Sequence, residues 1–322
     1  MLTRRALIHA AGAAAVAAHA PQPAWGAGPD PLTVVATTGM IADAARQVGG
    51  GHVAVRALMG PGIDPHAYRQ TRTDIVALVQ ADLVLWHGLF LEAQMIDFMA
   101  RVSDRTPVVA VAEALPRSAL IAHDDYAGKP DPHVWMDPEL WSDVVVAVRD
   151  ALIAARPDAA PDFRANAERH RADLADLAAY AREVLATVPP ESRVLVTAHD
   201  AFNYFGRAYG FEVRGIQGIS TESEAGLQRI GELVDILVAR DVHAVFVESS
   251  VSARNVRALI EGAAARGHEV RIGGELYSDA MGEAGSDADT YLGMIEHNVT
   301  VIARALGGEA PAGGRSARVA PS

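Results

Sequence analysis

The sequence contains no cysteine at any of its 322 positions. This absence excludes disulfide bonds, thiolate metal sites and a cysteine nucleophile. It also excludes the lipid-anchored amino terminus of bacterial lipoproteins, so we expect a chain without a membrane anchor. Any metal site must therefore do without thiolate ligands.

Aromatic residues and positive charge are also scarce. Aromatics make up 6% of the chain, and the formal net charge is −12. Few aromatics argue against a roomy aromatic-lined cleft for an organic solute. The acidic excess argues against nucleic acid as a partner and is compatible with a cation. Half of the residues are hydrophobic, which is enough to fill the cores of two ordinary domains.

The amino terminus has an apolar run, but a short one. Arg4 and Arg5 precede "ALIHAAGAAAVAA" at 6–18, and small residues follow in "PAWGAG". This order predicts an export signal over residues 1–27, cut after Gly26 or Ala27, rather than a membrane span. "TRRALI" partly resembles a twin-arginine signal, and a plain Sec signal fits equally well. We therefore expect a periplasmic protein by either route.

Short apolar runs alternate with helix-like segments along the rest of the chain. This alternation predicts the α/β class, with two lobes that each contain a roughly four-stranded, mostly parallel sheet flanked by helices. The predicted strands lie at 32–39, 52–59, 81–88 and 106–115 in the first lobe, and at 192–199, 211–218, 241–249 and 268–277 in the second.

One long amphipathic segment joins the two lobes. Its apolar or weakly polar positions recur at steps of three and four: Phe163, Ala167, His170, Leu174, Leu177, Ala181, Val184 and Val188. A helix of that length, about 40 Å, can span both lobes and should limit their relative movement. We predict a first lobe at 28–158, a linking helix at 159–189, a second lobe at 190–306 and a disordered tail at 307–322. We expect the protein to be a monomer.

Three of the twelve histidines stand out from the others. His66, His133 and His199 each follow a predicted strand or lie in a proline-flanked loop, and Asp279 follows the last strand in the same way. We interpret most of the others as structural and cannot assign the loop residues His87 and His123. The histidines expected to be structural are His52, His170, His243, His268 and His297.

These four side chains come from strand ends, two in each lobe. Ligands of open α/β sheets bind beyond the carboxyl ends of the strands, so the four could face one another between the lobes. Three imidazoles and one carboxylate suit zinc, manganese or iron, and suit calcium poorly. Read alone, His133 favours packing over binding, and the wide spacing of the histidines matches no local ligand motif.

Two other classes of protein remain as alternatives. A secreted zinc-dependent hydrolase usually has three protein ligands and an open position for water, often from an HExxH motif, which this sequence lacks. Four protein ligands favour carrying a metal over catalysis, so we do not expect an enzyme. A binding protein for an organic solute is the second alternative.

Five segments resemble one family in its own order. They are "GIDPHAYRQT" (62–71), "DPHVWMDP" (131–138), "TAHDAFNYFGRAYG" (197–210), "VFVESSVSARNVRAL" (245–259) and "GELYSDAMG" (274–282) with "GSDADTYLGMIEHN" (285–298). They are similar to the zinc- and manganese-specific solute-binding proteins of bacterial ABC importers, the TroA-like group. The resemblance extends over about residues 32–306.

The resemblance implies two lobes joined by one helix, with a single transported ion, Zn²⁺ or Mn²⁺, between them. It also implies delivery to a membrane permease with a cytoplasmic ATPase, and it puts His66, His133, His199 and Asp279 on the four ligand positions. The sequence lacks the long histidine-rich loop of many zinc-specific members. Three imidazoles favour zinc, whereas a bidentate aspartate favours manganese, so the sequence does not decide which ion is transported.

Ligating imidazoles usually donate their second ring N–H to a carboxylate or carbonyl. Candidates for this role are Asp200, Glu222, Glu224 and Glu248. Trp135 and Trp141 either wall the cleft or pack in the core.

Overall fold

The computed structural model describes residues 30–122, 128–223 and 225–315. The predicted export signal, His123 and Glu224 lie outside these residues. Within the described part, none of the helices is both long enough and apolar enough to cross a membrane.

The first lobe is built on a four-stranded parallel sheet. Its strands follow the order β2-β1-β3-β4, with Leu32 opposite Val53 and Val84 opposite Val108. The central strands are apolar and buried because helices cover both faces of the sheet. The elements are β1 (Leu32–Ala36), α1 (Gly39–Gly49), β2 (Val53–Ala57), α2 (Arg72–Gln80), β3 (Leu83–Trp86), α3 (Ile96–Val102), β4 (Val108–Ala110) and α4 (Pro138–Ala155).

A 27-residue helix, α5 (Ala160–Ala186), joins the lobes. It packs against α1 and α4 of the first lobe. The predicted stripe is its buried face, including His170, while Val188 is buried just beyond its end. Arginine and glutamate on the other face remain in water, which is the usual division for an amphipathic helix.

The second lobe also contributes four strands. Its elements are β5 (Val194–Thr197), α6 (Asn203–Tyr209), β6 (Glu212–Gly215), α7 (Leu227–Ala239), β7 (Ala244–Glu248), α8 (Arg254–Ala265), β8 (Arg271–Leu276) and α9 (Tyr291–Ala305). Every pairing between these strands is parallel, so the predicted α/β class is confirmed. Among the described residues, however, the ladder is divided into the pairs β5-β6 and β7-β8, with β5 beside β7.

The largest apolar core extends into both lobes. Phe163 and Leu177 of α5 belong to it together with Trp141 of the first lobe and Phe202 and Ile295 of the second. Helices α6 and α9 complete the packing around α5 on the side of the second lobe. The two lobes therefore share a hydrophobic core instead of meeting only across a polar cleft.

The segment after α9 differs in part from the predicted disordered tail. The backbone N–H of Glu309 donates to the hydroxyl of Thr187 at 2.8 Å, and that of Arg315 donates to Glu296 at 2.8 Å. Residues 307–315 thus hydrogen bond to the end of α5 and to α9. Residues 316–322 lie outside the described part.

Candidate metal centre

His66 lies in the loop between β2 and α2. Its backbone N–H donates to Asp64 Oδ1 at 2.8 Å, which fixes the turn around Pro65. The second carboxylate oxygen of Asp64 accepts from the hydroxyl of Thr221, in the other lobe, at 2.5 Å. The loop ends at a capping box formed by Thr71 and Asp74, which begins α2. The His66 ring is buried, at 2% exposure.

His133 is held by the aspartate two residues before it. Asp131 Oδ1 accepts from both the backbone N–H (2.9 Å) and Nδ1 (2.7 Å) of His133. Asn203, from the second lobe, donates to Asp131 Oδ2 at 3.1 Å. A short 3-10 turn follows, and Asp137 then caps α4, with Pro138 in its first turn. Because Nδ1 donates to Asp131, Nε2 carries the free lone pair.

His199 follows β5 and is oriented from the end of β7. Glu248 Oε1 accepts from its backbone N–H at 2.9 Å, and Glu248 Oε2 lies 2.5 Å from its Nδ1. Both side chains are buried. The expected carboxylate partner, Glu248, thus holds the ring with Nε2 directed away from it.

Asp279 follows β8 and completes the cluster. Neither of its carboxylate oxygens accepts a hydrogen bond within the described part of the chain, although the side chain is fully buried. Its oxygens lie 3.2 Å from His199 Nε2, 3.5 Å from His133 Nε2 and 3.7 Å from His66 Nε2. A buried carboxylate without hydrogen bonds is costly unless a cation neutralises it.

The three imidazoles also converge on one another. His133 Nε2 lies 3.2 Å from His66 Nε2 and 3.3 Å from His199 Nε2. One donor atom from each of the three histidines and Asp279 lies within 4.8 Å of all the others. Such a set can hold a single ion, with three nitrogens and one or two oxygens.

Burial and charge shift the protonation of these groups in opposite directions. Burial lowers the pKa of His66 to about 3, against the opposing effect of Asp279. Burial also disfavours a charged His199, but the carboxylates of Glu248 and Asp279 outweigh it and raise the pKa of His199 well above 6.5. Burial alone would raise the pKa of Asp279, but the imidazoles, led by His199, lower it below 3.8.

Comparison with known proteins identifies the family of this chain. The model of a family described as zinc-uptake complex component A, periplasmic, matches residues 34–305. This chain belongs to that family.

Two relatives and one solved structure show how far the likeness extends. The manganese-binding lipoprotein MntA of Bacillus subtilis (strain 168) is 49% identical over 276 residues, which cover 85% of this chain and 90% of MntA. The zinc-binding protein TroA of Treponema pallidum (strain Nichols) is 46% identical over 273 residues, 85% of this chain and 88% of TroA. The solved structure of periplasmic TroA from Treponema pallidum matches with a TM-score of 0.84 and covers 86% of this chain and 99% of that one.

Two other expected carboxylate partners, Glu222 and Asp200, lie in the described part of the chain. Glu222 accepts a hydrogen bond from Gln94 of the opposite lobe at an exposed position. The backbone N–H of Asp200 donates to the carbonyl of Gly218 at 3.4 Å. Trp135 and Trp141 were expected either to wall the cleft or to pack in the core. Trp135 packs edge-on against His133 and donates its N–H to the carbonyl of Ser278 at 2.7 Å. Trp141 stacks on Tyr291 in the core.

Sequence reasoning did not find several residues that support the site. Asp64 and Asp131 each precede a site histidine in the tripeptide Asp-Pro-His, so the repeated tripeptide was the signal that could have found them. His87, for which the sequence indicated no role, is fully buried next to the loop that carries His133. Burial lowers its pKa to about 3, and its Nε2 contacts the Pro132 carbonyl at 2.7 Å.

Proposed function

We propose that this chain captures one divalent transition metal ion with His66, His133, His199 and Asp279 and delivers it to the membrane permease of an ABC importer. Membership of a family of metal-binding, substrate-binding transport components supports the general role. The observation that carries the ligand assignment is the Asp279 carboxylate, buried without a hydrogen bond among three imidazole nitrogens. An ATPase on the cytoplasmic side would drive the permease.

The contacts around the imidazoles favour a cation over a purely structural cluster. The Nδ1 atoms of His133 and His199 are occupied by carboxylates, so the Nε2 atoms are the nitrogens directed into the cluster, and they offer lone pairs to a metal once they are deprotonated. Nitrogens 3.2 to 3.3 Å apart need a proton between them when no metal is bound, whereas one shared cation can attract the lone pairs of all three rings. Carboxylates on the second ring nitrogen also increase the basicity of the ligating one.

For the transported ion we propose zinc or manganese, with zinc bound more tightly in vitro. Three imidazoles favour zinc by the usual order of divalent affinities. Asp279 could instead bind through both oxygens, which raises the coordination number and suits manganese. The names of the two relatives divide in the same way, one manganese-binding and one zinc-binding.

We propose transport in place of catalysis. A catalytic zinc site usually keeps one position open for water, whereas four protein donors here surround the centre. All four side chains are buried, which leaves little room for a substrate beside the ion. Export to the periplasm agrees with the description of the family.

The test is metal binding and transport by the His133→Ala variant. We expect the purified wild-type chain to bind zinc and manganese in competition at one shared site, and we expect the variant to lose this site. Cells that depend on this chain should take up metal with the wild-type protein and fail to do so with the variant. The His297→Ala variant is the control, because His297 is half-buried on α9 and outside the metal-binding cluster, where its ring contacts the carbonyl of Glu275 and the ring of Tyr277. Equal affinity of His133→Ala and the wild type would overturn the ligand assignment.

A further inference from the structure

A second group of metal-binding side chains lies on the surface of the second lobe. One donor atom each from Asp241, His243 and His268 lies within 4.8 Å of the other two. His243 immediately precedes β7, whereas Glu248, which contacts the central site, ends that strand. The two groups of ligands are therefore at opposite ends of β7. The His243 and His268 rings lie 4.7 Å apart, and His243 Nε2 is 3.1 Å from Asp241 Oδ1.

Backbone carbonyls orient both imidazoles of this surface cluster. His243 Nδ1 lies 2.8 Å from the carbonyl oxygen of Glu269, and His268 Nε2 lies 2.8 Å from that of Val242. Each of these nitrogens must donate its proton, which leaves His243 Nε2 and His268 Nδ1 as the nitrogens that offer lone pairs when the rings are deprotonated. Metal-ligating histidines usually show this arrangement, with the second ring nitrogen bonded to a carbonyl or carboxylate.

The ends of two neighbouring helices place the cluster. After α7, Asp241 adopts a left-handed conformation (φ 51°), and the N–H of Val242 donates to Leu237 at 2.9 Å. After α8, Gly267 is left-handed (φ 73°), and the N–H of His268 donates to Ala263 at 3.1 Å. Both helices thus end in the same type of cap. Helix carboxyl termini carry partial negative charge, which favours a cation beside them.

The arginines that adjoin these caps are engaged elsewhere. Arg240 donates to Glu212 at 2.7 Å, and Arg266 donates to Asp235 at 2.7 Å. Each guanidinium is therefore paired with a carboxylate outside the cluster.

We propose that Asp241, His243 and His268 form a second metal site that binds one zinc ion at the surface, with water in the remaining positions. Two imidazoles and one carboxylate are a common set of zinc ligands. Manganese binds imidazole more weakly, so the surface site should discriminate against it. This proposal does not rest on the function of the central site, because it uses none of its residues.

The experiment measures zinc bound by the full chain in equilibrium dialysis with elemental analysis. We expect about two zinc ions for the wild type and about one for His133→Ala. The double variant His133→Ala/His268→Gln should bind none. The matched control is His133→Ala/His52→Gln, which removes a partly exposed histidine that also pairs with an aspartate, Asp162, at 2.9 Å. This control should keep its single ion.

Two further measurements separate the surface site from a loss of folding or from failure of the central site. Asp241→Asn in the His133→Ala background preserves the size of the side chain and should weaken zinc binding while the circular dichroism spectrum stays unchanged. The single variant His268→Gln should lose one zinc ion whether or not His133 is a ligand. The proposal is overturned if His268→Gln binds as much zinc as the wild type, or if manganese fills the surface site as readily as zinc does.

Discussion

Asp131 determines which nitrogen of His133 is available for binding. Its Oδ1 accepts from both the backbone and the ring of His133, and Asn203 holds the other oxygen. Burial would raise the pKa of Asp131, but its contacts, led by His133, keep that pKa below 3.8. An ionised carboxylate at this position orients the ring and makes Nε2 a stronger donor.

The Asp131→Asn variant should therefore bind metal more weakly without losing its fold. An amide that takes the place of the carboxylate can still hydrogen bond, but it no longer supplies the negative charge behind the ring. Loss of such a partner typically lowers metal affinity by about 10- to 100-fold. Isothermal titration with zinc or manganese measures the change.

Asp137→Asn is the control for this substitution. Asp137 caps α4 by accepting from the N–H of Glu139 at 3.0 Å, and asparagine caps a helix about as well as aspartate. We expect wild-type affinity for this control. An unchanged affinity for Asp131→Asn would show that the carboxylate contributes nothing to binding.

Metal affinity should also depend on pH, and His199 sets the range. Glu248 and Asp279 raise the pKa of His199 well above 6.5, so its imidazole holds a proton that the metal must displace. As the pH falls through this raised pKa, the proton competes better and the affinity drops. The loss should thus begin above pH 6.5. His66, whose pKa is lowered to about 3, stays neutral and adds nothing in this range.

Titration of metal affinity between about pH 8 and about pH 5 tests this dependence. In Glu248→Gln the His199 pKa falls, so the loss of affinity should move to lower pH. An affinity that is constant across the range would contradict a histidine-based site.

Some residues of the site could be predicted from the sequence and others could not. His199 and Asp279 come shortly after β5 and β8, a position that strand prediction can find, whereas His66 and His133 lie in longer loops and were singled out by the prolines beside them. Asp131 and His87 act through hydrogen bonds to His133 and to its loop, and such contacts depend on how segments distant in sequence pack together. Periodicity carries no information about that packing.

At the scale of elements, the start of α2 anchors the loop that carries His66. The Thr71 hydroxyl accepts from the N–H of Asp74 at 3.3 Å, and Asp74 Oδ2 accepts from the N–H of Thr71 at 2.8 Å. Asp74 also accepts from Tyr68, and it pairs with Arg56 on β2. The loop is thus tied to both neighbouring elements.

The Thr71→Ala variant should be destabilised by about 1 kcal/mol, the usual cost of losing a capping side chain. The change leaves the N–H of Asp74 without its partner at the first turn of α2. Urea denaturation measures the free energy of unfolding. Thr73→Ala is the comparison, since Thr73 is exposed and its hydroxyl contacts that of Thr71 at 2.8 Å without capping the helix, and it should lose clearly less stability than Thr71→Ala. A loss as large in Thr73→Ala would argue against the cap.

The predicted elements agree with the observed ones in type more closely than in pairing. All eight predicted strand runs contain a strand, because each is a short apolar, β-rich run between helix-like segments. The division of the second lobe into β5-β6 and β7-β8 was not predicted. An apolar pattern shows that a strand is buried, but tertiary packing decides which other strand it pairs with.

At the scale of the molecule, the core shared along α5 opposes separation of the lobes. Phe163 and Leu177 are fully buried on this helix, and their cluster continues into both lobes. Opening the lobes would expose this apolar surface to water, at about 25 cal/mol per Å². Solution scattering should therefore give the same radius of gyration for the metal-free and the metal-loaded chain. A clear contraction on metal binding would instead indicate a hinge within α5.

Because the two lobes share one core, metal binding should stabilise the whole chain and not one lobe alone. The four proposed ligands come from both lobes, so unfolding of either lobe destroys the site. An ion that binds only the native state adds about 4 kcal/mol at a free concentration about a thousandfold above the dissociation constant. Calorimetry should show one transition that moves to higher temperature with manganese and returns with a chelator. His133→Ala should melt at the same temperature with or without manganese, and a metal-dependent shift in this variant would place the stabilising ion elsewhere.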